Sequence, residues 1–104
     1  MTPTPLKMLT IVAEAAIERR IVNELVAAGV SGFTTVEARG FGERGRRAGD
    51  WDQNRSVRIE TICDAATASS VAERLLELWG PHYALIVWLH DVQVLRGGKF
   101  GADR

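Results

Sequence analysis

Cysteine is nearly absent from this chain: Cys63 stands alone in 104 residues. One thiol makes no internal disulfide and no multi-cysteine zinc site. Histidine is scarce as well, with only His82 and His90, so the set of soft metal ligands is poor. Excess charge of either sign is missing, because 13 basic residues balance 13 acidic ones. A strongly basic nucleic-acid binder or a polybasic membrane module depends on positive excess, so both are disfavoured. A local basic patch remains open. No apolar stretch approaches the ~20 residues of a membrane span. The opening Met1-Thr2-Pro3-Thr4-Pro5 lacks the basic region and apolar run of a secretory signal. The expectation is a protein of the reducing cytoplasm, with no nucleic-acid partner and no direct membrane insertion.

What is present is a globular composition, 46% hydrophobic and 25% charged. The length suits one domain, residues 1–104, burying roughly two-thirds of its unfolded surface. Leu6–Ala13 is apolar on both alternating faces, which predicts a central, buried strand. Ala15–Ala28 follows with Ile17, Ile21 and Leu25 spaced by four and Glu18, Arg19, Arg20 and Glu24 mainly opposite. That is an amphipathic helix, ending at Gly29, a residue suited to a left-handed C-cap. Phe33–Ala38 is rich in β-branched and aromatic residues and predicts a second strand. Arg55–Ile62 alternates Val57, Ile59 and Thr61 against Ser56, Arg58 and Glu60, a strand with one wetter face. Ala66–Trp79 predicts a second helix; Asp64, Thr67 and Ser70 can each cap its start, and Gly80-Pro81 stops it. Tyr83–Leu89 predicts a fourth strand, which Val92–Leu95 either continues or follows as a further short strand. The order predicts an α+β, ferredoxin-like βαββαβ sandwich, one antiparallel sheet with two helices on one face.

One connection is too long for this pattern. Arg39–Asn54 joins the second and third strands, where hairpin loops usually run about two to five residues. It carries Gly40, Gly42, Gly45 and Gly49, and Arg39, Arg44, Arg46 and Arg47, with Arg55 and Arg58 just beyond. These six arginines face only Glu43, Asp50 and Asp52. Arginine presents a planar fork of donors that matches phosphate or carboxylate oxygens. Glycine lets backbone N–H groups converge on an anion. The segment reads as an anion-binding loop that changes shape, or as a solvated loop whose arginines keep it soluble. Binding of single-stranded RNA is a third reading, disfavoured by the zero net charge. Trp51, between Asp50 and Asp52, is expected to pack on its own domain, a neighbouring subunit or a partner.

Gly29-Val30-Ser31-Gly32-Phe33-Thr34, then Glu37, then Gly40-Phe41-Gly42 resembles the PII signal-transduction family. The likeness in element order covers nearly the whole chain. It implies a homotrimer of ferredoxin-like subunits with an adenine-nucleotide site in each cleft between neighbouring subunits, and a regulator rather than an enzyme. By this resemblance Arg39–Asn54 is the T-loop that engages a transporter, enzyme or other regulator, and residues from about 97 to 104 form a tail. Thr34 matches the threonine at the adenine end. Gly42, with Gly40 and Phe41, matches the segment along the phosphates, and Arg96 matches a phosphate-binding arginine. Departures are equally specific. Arg44 replaces a glutamine that helps hold 2-oxoglutarate with magnesium-ATP, no tyrosine for uridylylation lies in the loop, and no TGKIGDGK-like segment precedes the fourth strand.

What remains is similar to the branch linked to inorganic carbon, which includes regulators of bicarbonate transporters and carboxysome-associated proteins. That branch has arginine-rich T-loops and tails like Gly97-Gly98-Lys99-Phe100-Gly101. The resemblance implies AMP or ADP as ligand, with ATP or cyclic AMP also compatible, and bicarbonate in some members. Arg44, Arg46 and Arg47 are the candidates for folding onto phosphates, and Arg44, Arg46 and Gly42 for holding bicarbonate. The implied partner is a membrane transporter or a carbon-fixation protein, the implied place the cytoplasm, a carboxysome or a transporter.

The other chemical groups have plainer readings. Cys63 is expected to be a buried, inert thiol, and His82 a solvent-facing turn residue. His90 and Asp91 read as a polar strand end, Trp79 and Trp88 as core or subunit interface. Glu37 and Glu60 are expected to pair with Arg39 or Arg58. No nucleophile–base set or paired carboxylates stand out, which disfavours an enzyme. Two alternatives accompany the sensing reading: a trimeric adaptor that binds a protein without a small molecule, and a small enzyme or metal-binding protein.

Overall fold

The computed structural model describes residues 2–40 and 55–100. Strand β1 (Thr4–Glu14) leads through a 3-10 turn (Ala15–Ile17) into helix α1 (Glu18–Ala27). Strand β2 (Thr34–Arg39), strand β3 (Arg55–Cys63), helix α2 (Ala65–Trp79) and strand β4 (Leu85–Val94) follow, and Gly97–Phe100 makes a last 3-10 turn. The strands form one antiparallel sheet in the order β2-β3-β1-β4. This is the expected ferredoxin-like sandwich, with β1 in the interior of the sheet as its two apolar faces require.

One face of the sheet meets the helices. Leu9, Ile11 and Ala13 of β1 align with Thr61, Ile59 and Val57 of β3, and all six are buried. Ile21 and Leu25 from α1 and Val71 and Leu75 from α2 close the core over them. Each fully buried Leu or Ile contributes roughly 1.5–3 kcal/mol relative to exposure.

Local chemistry sets the element ends. At the end of α1, Gly29 has φ 82°, its N–H donates to Val26 O, and the Val30 N–H donates to Leu25 O. These are the paired bonds of a Schellman motif, and they need a left-handed residue at Gly29. Of the three residues able to cap α2, Asp64 does so, accepting from the Thr67 N–H at 2.8 Å. That bond holds its carboxyl below the usual range.

Several expected boundaries are corrected. Helix α1 does not start at Ala15: Ala15–Ile17 is a 3-10 turn that brings Ile17 directly into the core. Phe33 lies outside β2. Tyr83 and Ala84 precede β4, because the Ala84 N–H donates to the Glu14 carboxylate while the Glu14 N–H donates to Ala84 O. Val92 continues β4 rather than starting another strand, paired to Leu6. No helix among the described residues is long and apolar enough to cross a membrane.

Candidate ligand-binding site

Among the described residues, no helix covers the second face of the sheet. By alternation it presents Val36, Arg58, Val12 and Ile86 in one row across the strands. Thr34, Glu60, Thr10 and Trp88 form the next row. Val36 and Ile86, on the two edge strands, are 53% and 61% exposed. Arg58 and Trp88 stand on the two strands flanking β1, about 10 Å apart at the backbone. The Arg58 guanidinium nevertheless lies 5.7 Å from the Trp88 ring centroid, so the two side chains meet over β1. That contact explains why Thr10 is fully buried on an otherwise open face. Arg58 also pairs with Glu60 at 3.2 Å, as expected, and His90 packs edge-on against Trp88 at 6.3 Å.

Thr34 opens β2 at the edge of this face, exposed and directly opposite Glu60. Gly40 follows the same strand, six residues and about 20 Å further along. A Cβ on Gly40 would meet nothing within 4 Å, so packing among the described residues does not require glycine there. Between them Arg39 and Arg55 face each other at the end of the β2–β3 ladder. Such like charges repel. Arg55 is relieved by Glu37 at 3.1 Å, which corrects the expected pairing of Glu37 with Arg39 or Arg58. The fork of Arg39 has no hydrogen-bond or ion-pair partner among the described residues, leaving a donor beside Gly40. The register, not spacing along the chain, is what sets Glu60 beside Thr34 and Arg55 beside Arg39.

Arg96 is not brought to this place. It lies beyond β4, at the end of the sheet where β1 begins, whereas Gly40 lies where β1 ends. Trp88 to Val94 alone spans about 20 Å of strand. One chain therefore keeps Thr34 and Arg96 apart. Phe41, Gly42, Arg44, Arg46, Arg47 and Trp51 lie outside the described residues.

The remaining candidates behave as ordinary structure. Cys63 is buried, and burial, then the Asp64 charge, pushes its thiol up to about 11. His82 is exposed. Asp91 pairs with Lys7 rather than His90, and that bond holds its carboxyl low. Trp79 packs on the core. No cluster of three His, Cys, Asp or Glu able to hold a metal occurs among the described residues. A shallow cavity of about 320 Å³ beside Lys7, Ala65 and Gln93 is lined by none of the expected site residues.

The family model described as Nitrogen regulatory protein P-II matches residues 6–99. The chain belongs to the P-II family. No curated protein matches it. Among solved structures, this P-II chain is similar to a PII-like signalling protein of Thermus thermophilus, at 43% identity and TM-score 0.81, covering 96% of this chain and 99% of that one. It is also similar to CPII of Thiomonas intermedia K12 bound to ADP and bicarbonate, at 28% identity and TM-score 0.80, covering 94% and 96% of the two chains. A second CPII structure, with ADP, AMP and acetate, matches at 26% identity and TM-score 0.78, covering 96% and 98%. The P-II assignment places the chain among regulatory proteins and agrees with the motif from Gly29 to Gly42.

Proposed function

We propose that this chain is a P-II-like regulator that binds ADP or AMP in clefts between copies of a homotrimer, with bicarbonate as a second ligand. The observation that carries this reading is the likeness, over 94% of the chain, to a protein solved with ADP and bicarbonate. The open sheet face supports assembly of copies, since its exposed Val36 and Ile86 gain by leaving water. The position of Arg96 supports a site built from two copies, because Thr34 and Arg96 are too far apart in one. In this arrangement Thr34 meets the adenine end. Gly40, Phe41 and Gly42 run along the phosphates with Arg44, Arg46 and Arg47, and a neighbour contributes Arg96. Gly42, Arg44 and Arg46 also supply the donors for bicarbonate. The role is regulation rather than catalysis: Arg39–Asn54 reports the bound state, in the cytoplasm, to a transporter or a carbon-fixation partner.

Isothermal calorimetry with AMP, ADP, ATP and cyclic AMP, each with and without bicarbonate, tests the reading. Micromolar binding of one adenylate, altered by bicarbonate, is the expected result. Adenylate binding indifferent to bicarbonate removes the carbon link. No heat with any ligand, from a folded trimer, replaces the sensor by an adaptor that binds its partner directly.

A further inference from the structure

We propose that Thr61 is a positioning residue for the nucleotide site, acting through the turn that delivers Thr34. The inference rests on the nucleotide reading above. Thr61 lies on the core-facing side of β3, opposite Leu9, and is 3% exposed. A hydroxyl carried into an apolar layer needs a partner. This one donates to the Gly32 carbonyl at 2.6 Å, across 29 residues of sequence.

The place of that bond gives it meaning. Backbone pairing of β2 with β3 begins at Thr34 and Glu60. Gly32 lies two residues earlier, where the chain has left the ladder. The Thr61 hydroxyl therefore continues the tie to β3 after the backbone bonds stop. The helix end of the turn is held separately, by the Gly29 and Val30 amides on α1. Packing does little for the strand end: Ser31, Gly32 and Phe33 are exposed, and a Cβ on Gly32 would meet nothing within 4 Å. Thr10 supplies a contrast. It is equally buried on the other face, yet its hydroxyl has no partner among the described residues.

Releasing Gly32 spreads Thr34 over several positions. Apparent affinity then falls with the fraction of chains whose site is assembled. A residue that merely fills the core lowers folding stability and leaves the affinity of the folded chain unchanged.

The test compares the full chain with T61V and T61S by ADP calorimetry, thermal unfolding and amide exchange. Valine keeps the shape and removes the hydroxyl; serine keeps the hydroxyl and removes a methyl. T61V is expected to bind ADP about three- to tenfold more weakly, with faster exchange at Gly32, Phe33 and Thr34. T61S is expected to stay within about a factor of two of wild type while melting at a lower temperature. If T61V does not fold, T61A removes the same hydroxyl. Equal ADP affinity in wild type and T61V overturns the role alone, and so does a loss in T61S as large as in T61V. A wild-type chain that takes up no ADP overturns the nucleotide reading and this role with it.

Discussion

A nucleotide held between two copies makes two defective chains complement each other. Thr34→Val removes a hydroxyl from one wall of the proposed cleft, and Arg96→Ala removes a guanidinium from the other. Counting along the register, β4 alone carries Arg96 more than about 20 Å from the row that contains Thr34. Three strand spacings of about 4.8 Å each add to that separation. No single ADP reaches both within one chain. Losing a neutral hydrogen bond costs about 0.5–1.5 kcal/mol, and losing a charged one about 1.5–3 kcal/mol. The T34V trimer should therefore bind ADP about 2- to 13-fold more weakly, and the R96A trimer about 13- to 160-fold. Co-expression of the two chains with different tags, followed by purification through both, yields only mixed trimers. Around a cyclic trimer of either mixed composition, one site in about three pairs an intact Thr34 with an intact Arg96. Calorimetry should then show about a third of the sites at wild-type affinity. Mixed trimers with no wild-type class of site would refute the argument, placing both residues in one chain's site or removing one from it.

Three further outcomes follow from the fold itself. Gly29→Ala forces a Cβ into the left-handed region at φ 82° and should lower unfolding free energy by about 1–2 kcal/mol in urea; an unchanged midpoint refutes the Schellman constraint. Asp64→Ala should cost about 0.5–2 kcal/mol at neutral pH through loss of the α2 cap. Because the folded carboxyl titrates below its ordinary value, the cap is fully present above about pH 4. The wild-type advantage should then shrink as pH falls through the lower folded value, and an advantage constant down to pH 2 would contradict that. Thr10→Val removes a buried hydroxyl that has no partner among the described residues and should leave the urea midpoint unchanged or raised; a loss above about 1 kcal/mol means that assembly gives the hydroxyl a partner.

Much of the fold was legible because burial leaves a local period. Val57, Ile59 and Thr61 alternate with wetter neighbours, and all three turn to the core. Ile17, Ile21 and Leu25 repeat by four and meet there too. Errors fell at element ends, where single hydrogen bonds decide. The Glu14–Ala84 exchange and the tight turn at Ala15–Ile17 leave no periodic trace. Among ion pairs, Arg58 with Glu60 was legible because the two residues point to one face of one strand. Glu37 with Arg55 was not, since it depends on how β2 meets β3.

For the candidate site the division is sharper. The family likeness was legible because a glycine-spaced turn is written along the chain, and that likeness offered Thr34, Gly40 and Arg96 as candidates. Distance is not. Register places Glu60 beside Thr34, closes Arg58 and Trp88 over Thr10, and ties Thr61 to Gly32. It also sets Arg96 at the end of the sheet away from Gly40, a separation that fits the site between neighbouring copies implied by the resemblance. Element type follows from patterns a few residues long, so the sequence alone determined it. Which groups meet depends on pairing between strands far apart in the chain, and only the tertiary structure decided that.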